Sequence, residues 1–387
     1  MREDDPLASR VRAQLDEIDR AGLRRTLNAP VGIDLCSNDY LGFATHPHIV
    51  ARMAAAIHSE GCGSTGSRLL RGHRDSFSRV EERFASFKGT ERSLYFSSGY
   101  LANLGVLSAF LEAGDVVFSD ERNHASLIDG MRLGRAERVI YPHCDAPALR
   151  AMLRDHRGPG RKFIVTESLF SMDGDVAPLG TYAALAREYG AALIVDEAHA
   201  VGIYGRNGTG LIEACGIGED VFLSVNTAGK ALGVSGAFVA GPAWAVEYMI
   251  QRARPFVFST APPPAVAAAL DAGLDVMASE PERRARLLQL ARRLRGSLQA
   301  SGIDVAPCES QIIPLMLGSN ERAVAVGDTL QRAGFDVRAI RPPTVANGTA
   351  RLRISVNVNL VEEVQDRFVH ALAGAMSEAL SCSAASL

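Results

Sequence analysis

An acidic residue, a histidine and a lysine follow two neighbouring apolar segments and could together hold an aldehyde cofactor. Asp196 ends one apolar segment, His199 lies three residues further on, and Lys230 follows the next apolar segment. Ligands of open parallel sheets bind at the carboxyl ends of the strands, so we expect these side chains at one edge of a sheet. Burial among small and apolar neighbours lowers the pKa of a lysine and makes it a competent Schiff-base amine. The acid and the lysine suit a pyridinium nitrogen and an aldehyde, respectively.

A strand-to-helix turn of small residues offers a site for an anionic group. The turn is Ser97-Ser98-Gly99-Tyr100, and it precedes the helical segment 101–113. Backbone N–H groups at a helix N-terminus bind anions, helped by the helix dipole. The same residues also make an ordinary connection between a strand and a helix, so the turn alone does not assign the site.

Two further motifs imitate nucleotide-binding sequences. Residues 61–66 match G-x-G-x-x-G, but they follow a helical segment, whereas a dinucleotide fingerprint follows a strand and opens a helix. Residues 196–199 spell DEAH, like the acidic box of a nucleotide hydrolase. Such an enzyme also needs G-x-x-x-x-G-K-[ST], and here Gly229-Lys230 is followed by Ala231. The sequence therefore favours a loop at 61–66 and argues against nucleotide hydrolysis.

Short apolar or β-branched segments alternate with helical segments between about residues 92 and 241, and these elements would position the residues named above. Such alternation is typical of an α/β domain with a mostly parallel sheet. The predicted strands are Ser93–Ser97, Val116–Ser119, Arg138–Tyr141, Lys162–Glu167, Ala191–Asp196, Val221–Val225 and Gly236–Ala240. The predicted helices between them are 101–113, 125–135, 146–156 and 180–189.

The flanking regions predict two further parts of the chain. Spaced apolar residues predict an amphipathic helix over 7–26, Pro47 begins a second helix over 47–59, and a long helical region runs over 265–302. Strands near 312–316 and 350–356 and a helix over 320–333 indicate a smaller α/β domain. We therefore predict an N-terminal helix and arm over 1–45, a large α/β domain over 46–264, and a helix with a small C-terminal domain over 265–387.

The composition excludes several classes of protein. The chain has 387 residues with 41 Lys+Arg and 44 Asp+Glu, hence a net charge of −3, and 47% hydrophobic residues. This is far from a disordered chain and lacks the basic surplus of a nucleic-acid binder. From its charge we do not expect the start, residues 1–5, to act as a secretory signal, and no uncharged apolar run reaches 18 residues.

Cysteine usage indicates a reducing compartment. The cysteines are scattered without a C-x-x-C pair, which is typical of unpaired thiols: Cys36, Cys62, Cys144, Cys215, Cys308 and Cys382. We expect a cytoplasmic protein that binds small molecules, with no metal, no nucleic acid and no membrane.

Taken together, the motifs resemble those of the α-oxoamine synthases, a branch of the fold-type-I pyridoxal-phosphate enzymes. The matching stretches span nearly the whole chain in the family's order: Ser37–Gly42, Gly63–Arg68, Asn123–Ser126, Glu167, Phe170–Asp175, Asp196–His199, Thr227–Gly233, Phe258–Thr260, Pro262-Pro263, Arg341–Val345 and Gly348–Arg353. The resemblance implies an aspartate-aminotransferase-like α/β fold. That fold has a large, mostly parallel seven-stranded sheet domain and a smaller α/β C-terminal domain.

The resemblance also implies roles around pyridoxal 5'-phosphate. Lys230 would carry the cofactor as a Schiff base, and Asp196 would pair with its ring nitrogen. His124 would lie against the ring face and belong with these two to the catalytic residues. His199 would bond the phenolic oxygen, and Ser171 would complete the pocket.

Further implied roles concern the phosphate and the substrates. Gly99, Tyr100 and Thr227 would lie on the phosphate side. Thr260 would reach the phosphate of a neighbouring subunit, since active sites of the family lie at a homodimer interface. The expected substrate-binding residues are Arg353, for the amino-acid carboxylate, and Arg24 and Thr344, near the acyl group. Arginine suits the first role because its planar fork matches a carboxylate.

The resemblance is greatest to the branch that condenses L-alanine with a pimeloyl thioester in biotin biosynthesis, with loss of CO2. The thiol carrier is left open between coenzyme A and an acyl carrier protein. The basic loop Arg71–Arg74 and residues 345–347 depart from the family pattern, which leaves the acyl substrate less defined than the chemistry. Glycine with acetyl- or succinyl-CoA, serine with a long acyl-CoA, and a plain aminotransferase remain the alternatives.

Overall fold

The computed structural model describes residues 5–384, with side chains described up to residue 379. Residues 1–4 of the charged start and the side chain of Cys382 lie outside the described residues. The helices are α1 (Pro6–Arg20), α2 (Pro47–Glu60), α3 (Asp75–Lys88), α4 (Gly99–Phe110), α5 (Ala125–Leu133), α6 (Ala146–Asp155), α7 (Leu179–Tyr189), α8 (Leu211–Ala214), α9 (Ala243–Arg252), α10 (Arg254–Val257), α11 (Pro264–Ser279), α12 (Glu282–Ala300), α13 (Asn320–Arg332) and α14 (Glu362–Ala384).

Strands form three sheets within the described range. The strands are β1 (Ile33–Asp34), β2 (Arg92–Phe96), β3 (Val116–Asp120), β4 (Glu137–Tyr141), β5 (Lys162–Glu167), β6 (Ala191–Asp196), β7 (Val221–Thr227), β8 (Ala237–Gly241), β9 (Ile312–Gly318), β10 (Phe335–Asp336), β11 (Ala339–Ile340) and β12 (Ala350–Ser355). The main sheet has the order β2-β8-β7-β6-β5-β3-β4. Its β4, β3, β5, β6 and β7 run parallel, and β8 is antiparallel to both neighbours.

The predicted mostly parallel, seven-stranded α/β architecture is confirmed. Each of the seven predicted strands of the main sheet ends within two residues of its prediction. The strands read as continuous apolar segments because both faces are covered; all five residues of β3 are buried. The core on one face of the sheet includes Phe96, Val106, Val165 and Ile194.

Parallel pairing aligns the carboxyl ends of the central strands. Glu167, the last residue of β5, lies directly opposite Asp196, the last residue of β6. Asp196 in turn lies opposite Val225 on β7, which continues to Thr227 and the loop of Lys230. The sheet therefore brings three chain segments distant in sequence to one edge, as the sequence predicts.

The chain divides into two compact units. The larger contains Asn38–Ser171 and Asp175–Leu287, and the smaller contains the described residues up to Ser37, Met172–Gly174 and those from Leu288 onward. These boundaries differ from the predicted domains, which begin the C-terminal part at residue 265. Helix α11 belongs to the larger unit because it packs against α2 and α3.

Two helical predictions differ from the structure. The first helix ends at Arg20 instead of residue 26, because Gly22 adopts a left-handed backbone with φ of 63° and the amide of Leu23 bonds back to Ile18. The helical region predicted over 265–302 is interrupted between α11 and α12, where Pro281 cannot continue the hydrogen-bond ladder.

Among the described residues, no helix is both long enough and apolar enough to cross a membrane.

One non-glycine residue with an unfavourable backbone is Cys144, in the loop after β4, with φ of 54°. Asparagine tolerates this left-handed region much better than most residues. We expect Cys144→Asn to raise the free energy of unfolding by on the order of 1 kcal/mol, measured by denaturant unfolding. The matched control, Cys62→Asn, changes an exposed cysteine outside the left-handed region and should give no gain. Equal effects at both positions would contradict a backbone origin.

Candidate active site

Lys230 belongs to a hydrogen-bonded chain of side chains whose central members are buried. Its Nζ is 2.7 Å from Nε2 of His199, and Nδ1 of His199 is 2.7 Å from the hydroxyl of Tyr40. The Tyr40 hydroxyl also donates to Oδ1 of Asn38 at 2.9 Å. Tyr40 and His199 are buried, which fixes the imidazole and keeps the lysine amine within its reach. The structure thus brings together two of the predicted site residues and adds Tyr40.

Asp196 is held by two hydrogen-bond donors that fix the orientation of its carboxylate. The side-chain amide of Asn103 donates to Oδ2 at 2.7 Å, and the backbone N–H of Ala198 donates to Oδ1 at 2.8 Å. Asp196 and Asn103 are both buried. Charge-assisted hydrogen bonds of this kind compensate the cost of burying a carboxylate. An oriented, buried anion is what a protonated pyridine nitrogen requires as partner.

His124 is connected to the same polar network. The Asn103 amide that reaches Asp196 also donates to the Ser126 hydroxyl at 2.9 Å, and that hydroxyl lies 2.8 Å from Nδ1 of His124. Burial lowers the pKa of His124, an effect that the nearby charge of Asp196 opposes and that of Lys230 reinforces. At neutral pH His124 is therefore an uncharged imidazole, suited to lie against an aromatic ring.

The predicted anion site combines a helix N-terminus with a hydroxyl. Helix α4 begins at Gly99 and is capped by the Ser98 side chain, which accepts from the amide of Leu101. A Cβ added at Gly99 would lie 2.4 Å from Oγ1 of Thr227. Glycine is therefore required where the helix N-terminus and the Thr227 hydroxyl meet. Free N–H groups, the helix dipole and this hydroxyl together fit a phosphate.

Tyr100 and Ser171 lie on the loops that surround this edge. The Tyr100 ring meets His124 edge-on at a centroid distance of 6.5 Å, and its hydroxyl donates to Asp129. That hydrogen bond to the Asp129 carboxylate raises the pKa of Tyr100. Ser171 is half-buried and follows β5.

Thr260 occupies a different part of the surface. It is exposed, and it pairs with Ser67 in an isolated antiparallel bridge that the amide of Ala261 extends by bonding to the carbonyl of Gly66. The exposed large apolar side chains near this bridge include Leu70 at 83% and Phe258 at 71%.

The three predicted substrate-binding residues lie in the smaller unit. Arg353 is buried on β12 and donates to Ser355 at 2.7 Å. Arg24 and Thr344 line one cavity of about 480 Å³, in which Arg338 and Arg341 also lie. Arg24 is additionally paired with Asp19 at 2.9 Å. The structure thus places Arg24 and Thr344 together.

A larger cavity of about 760 Å³ lies at the other end of the main sheet. Its lining includes Lys162 and Ala191, the first residues of β5 and β6, together with Phe222 and Trp244. None of the predicted site residues lines it. The size of a cavity therefore does not identify the candidate active site, which is identified by its side chains.

The DEAH motif has a different use here from the one found in a nucleotide hydrolase. Glu197 is fully buried and accepts from Nζ of Lys88 at 2.6 Å and from the amide of Ile212 at 3.0 Å. Its carboxylate thus forms a structural ion pair with Lys88, while the adjacent Asp196 lies at the site.

One cluster of metal-ligating residue types lies outside the site. Ligand atoms of Asp120, His143 and Cys144 lie within 4.8 Å of one another. However, Nδ1 of His143 bonds Asp120 at 2.9 Å and Nε2 bonds Asp175 at 2.6 Å. Burial lowers the pKa of His143, but these two carboxylates outweigh it and raise the value to about 12. The protonated ring has no free lone pair for a metal.

Sequence reasoning did not assign roles to Tyr40, Asn103 and Ser126. A signal exists for Asn103, which is a lone amide among the apolar residues of α4 and must find a buried partner. Tyr40 carries no comparable local signal, because its partner His199 is 159 residues away.

Comparison with known proteins shows the family to which the chain belongs. Residues 30–372 match the model of the aminotransferase class I and II family. The chain is 46% identical to an 8-amino-7-oxononanoate synthase of Anaeromyxobacter dehalogenans over 95% of both chains. It is also similar to a solved serine palmitoyltransferase variant from S. paucimobilis bound to a PLP–myriocin aldimine, with a TM-score of 0.90, 30% identity, and coverage of 98% and 99%. A solved 8-amino-7-oxononanoate synthase from Francisella tularensis gives a TM-score of 0.77 at 29% identity, with coverage of 90% and 98%.

The close approach of Gly99 to Thr227 can be tested by adding one methyl group. We expect Gly99→Ala to weaken pyridoxal-phosphate binding about tenfold or more and to lower stability by about 1–3 kcal/mol, because the new Cβ overlaps Oγ1. Cofactor titration and thermal unfolding measure both effects.

A double variant separates the two effects. Thr227→Ala removes the overlapping atom, so Gly99→Ala with Thr227→Ala should recover stability but not cofactor affinity. Gly180→Ala, in open space within α7, is the matched control and should be neutral or stabilising. Wild-type cofactor affinity in Gly99→Ala would contradict the assignment.

Proposed function

The chain belongs to the class I and II aminotransferase family, in its α-oxoamine synthase branch, and from this premise we propose that it acts as an 8-amino-7-oxononanoate synthase. The reaction condenses L-alanine with a pimeloyl thioester and releases CO2 and the free thiol carrier, as a step of biotin biosynthesis. The observation that carries this proposal is the 46% identity over 95% of both chains to an enzyme of that name. The serine palmitoyltransferase structures share the fold at 30% identity and so favour the branch rather than the substrate.

Pyridoxal 5'-phosphate is the cofactor of this branch, and it supplies an electron sink that stabilises a negative charge at the amino-acid Cα. The residues fit it: a lysine beside a histidine, a buried carboxylate held by two donors, and a glycine-lined helix N-terminus beside a hydroxyl. We assign Lys230 as the residue that links to the aldehyde and Asp196 as the partner of the ring nitrogen.

The side chains around Lys230 support a role in proton transfer. Once substrate has displaced it, the Lys230 amine is free to take the Cα proton of alanine and later to return one. His199 receives or donates a hydrogen bond at 2.7 Å, and Tyr40 fixes the orientation of His199 from the other side. His124 has a lowered pKa and would lie against the ring face, where its imidazole could donate to the thioester carbonyl as the new C–C bond forms.

Substrate recognition is assigned to arginines. Arg353 offers two parallel donors to the carboxylate of alanine, a geometry that lysine does not reproduce. Arg24 and Thr344, which share a cavity, are assigned to the acyl substrate. The pimeloyl group arrives on coenzyme A or on an acyl carrier protein, since both present the same thioester.

We further propose that the enzyme is a cytoplasmic homodimer with shared active sites. An apolar stripe on α1 is exposed within the single chain and offers a surface for a second copy: Leu7, Val11, Leu15 and Ile18. The exposed Leu70 and Phe258 next to Thr260 support a second contact of this kind. In such a dimer Thr260 would bind the cofactor phosphate of the partner subunit.

Product analysis tests the reaction directly. Incubation with L-alanine and pimeloyl-CoA should give 8-amino-7-oxononanoate by mass spectrometry, with one CO2 and one free thiol per product. Glycine, serine, acetyl-CoA and a long acyl-CoA are the competing substrates and should react more slowly. Formation of pyruvate from alanine without a thioester would instead identify an aminotransferase and contradict the proposal.

Lys230 can be tested by trapping, because the chain has three lysines: Lys88, Lys162 and Lys230. Borohydride reduction of the cofactor-loaded protein should fix the cofactor covalently on its lysine. This pyridoxyl label should be found on the peptide that contains Lys230. Lys88 is buried in its ion pair, and Lys162 bonds the carbonyl of Leu153, so these two are internal controls. Lys230→Ala should lose the label and lower turnover by on the order of 10³-fold. A label on either other lysine would refute the assignment.

Subunit mixing tests the shared site. Thr260→Asp should be inactive because it places a carboxylate against the partner's phosphate, and Lys230→Ala is inactive for its own reason. Co-refolded mixtures should regain activity toward one quarter of wild type, since each mixed dimer has one site with both native residues. Mixtures that remain as inactive as the two parents would show that Thr260 and Lys230 act in the same subunit.

A further inference from the structure

Glu167 is a buried carboxyl group at the site edge for which the reaction described above has no use. It ends β5 directly opposite Asp196 on β6, and its side chain is 3% exposed. Parallel neighbours in register project their side chains to the same face of a sheet. Two carboxyl groups therefore lie side by side where the cofactor ring is expected.

The end of β5 also binds the loop that carries His124. The Asn123 side chain donates to the carbonyl of Val165 at 2.8 Å and accepts from the backbone N–H of Glu167 at 3.1 Å. The backbone amides of His124 and Ser171 face the Glu167 carboxyl closely enough to lower its pKa. Two loops from different parts of the chain therefore meet at this one side chain.

The environment decides which of the two carboxyl groups keeps its charge. Asp196 has two good donors, whereas Oε1 of Glu167 has no hydrogen-bond partner among the described residues. Burial, followed by the charge of Asp196, raises the pKa of Glu167 to about 8, against the lowering effects of Lys230 and the two amides. Asp196 and Lys230 are the charged groups that act on it, and His124 is neutral. At neutral pH the Glu167 carboxyl therefore holds its proton.

We propose that Glu167 is a positioning residue, whose protonated carboxyl fixes the loops of His124 and Ser171 and leaves Asp196 as the single anion facing the cofactor ring. This rests on the pyridoxal-phosphate site of the proposed function. The proton removes the repulsion between two adjacent carboxylates, and the carbonyl oxygen remains available to the two amides. The isosteric amide of Glu167→Gln is also uncharged and also offers a carbonyl oxygen, whereas the methyl group of Glu167→Ala offers no acceptor to the two amides.

The first test follows stability with pH. The folded protein keeps the proton up to about pH 8, whereas a glutamate in the unfolded chain releases it near pH 4.5. Wild-type stability should therefore fall as pH rises through this window, because the folded state binds more protons there. Glu167→Gln carries no such proton. The melting temperature of the variant minus that of wild type should therefore increase by about 2 °C or more from pH 5 to pH 8.5.

The matched control is Glu197→Gln, the neighbouring buried glutamate that is paired with Lys88. Removing its charge leaves a buried ammonium without its partner, so this variant should lose stability at both pH values. If Glu167→Gln behaves like Glu197→Gln, the carboxyl of Glu167 is ionised and the proposal is wrong.

The second test measures cofactor binding rather than turnover. Glu167→Gln should hold the dissociation constant for pyridoxal phosphate within about threefold and keep the visible circular dichroism of the bound cofactor. Glu167→Ala should raise the constant about tenfold and change the dichroism, because the amides of His124 and Ser171 lose the carboxyl group that they face. If Glu167→Ala does not fold, Glu167→Asp replaces it, since its shorter side chain cannot reach both amides. Wild-type binding and dichroism in the folded short variant would overturn the positioning role.

Neither test uses an acyl substrate. A chain that binds pyridoxal phosphate but makes no 8-amino-7-oxononanoate would fail the product assay and still pass both tests, so the two proposals can fail separately.

Discussion

The parallel register of β5, β6 and β7 is the constraint on which the site depends. Because these strands run in the same direction, their last residues lie at one edge, and the order of the strands decides which residues become neighbours. Moving β6 by one residue would turn Asp196 to the opposite face and bring Glu197 into its place. The apolar side chains on both faces prevent such a shift, so the large core also fixes the chemistry.

A polar network extends this constraint from the strands to the loops. Asn103 stands at its centre, because its two amide hydrogens reach Asp196 and Ser126, and Ser126 reaches His124. Asn103, Asp196 and Ser126 are buried, so a missing partner among them would cost about 1–3 kcal/mol. The helix, the strand end and the histidine loop are therefore coupled in position before any ligand binds.

The sequence predicted the parts of the structure that depend on local pattern. The strands of the main sheet have continuous apolar segments, and Asp196, His199 and Lys230 follow them at the expected ends. Helix α3 was not predicted, because charged residues separate its buried Phe77, Val80 and Phe84 and the apolar face is completed only by packing. The contact of Tyr40 with His199 could not be predicted either, since it joins segments 159 residues apart.

Adjacent acidic residues show why residue type and spacing do not by themselves determine function. Asp196 and Glu197 are neighbours in the chain, yet one meets an amide and a backbone N–H at the open edge while the other meets Lys88 inside the protein. Glu167, on the strand next to Asp196, has a third environment, in which burial and the charge of Asp196 raise its pKa. Three buried carboxyl groups thus have different partners: an amide and a backbone N–H for Asp196, an ammonium for Glu197, and the neighbouring carboxylate of Asp196 for Glu167. In another strand register the same residues would have different partners. The chemistry at this edge of the sheet therefore depends on the strand alignment as well as on the residue types.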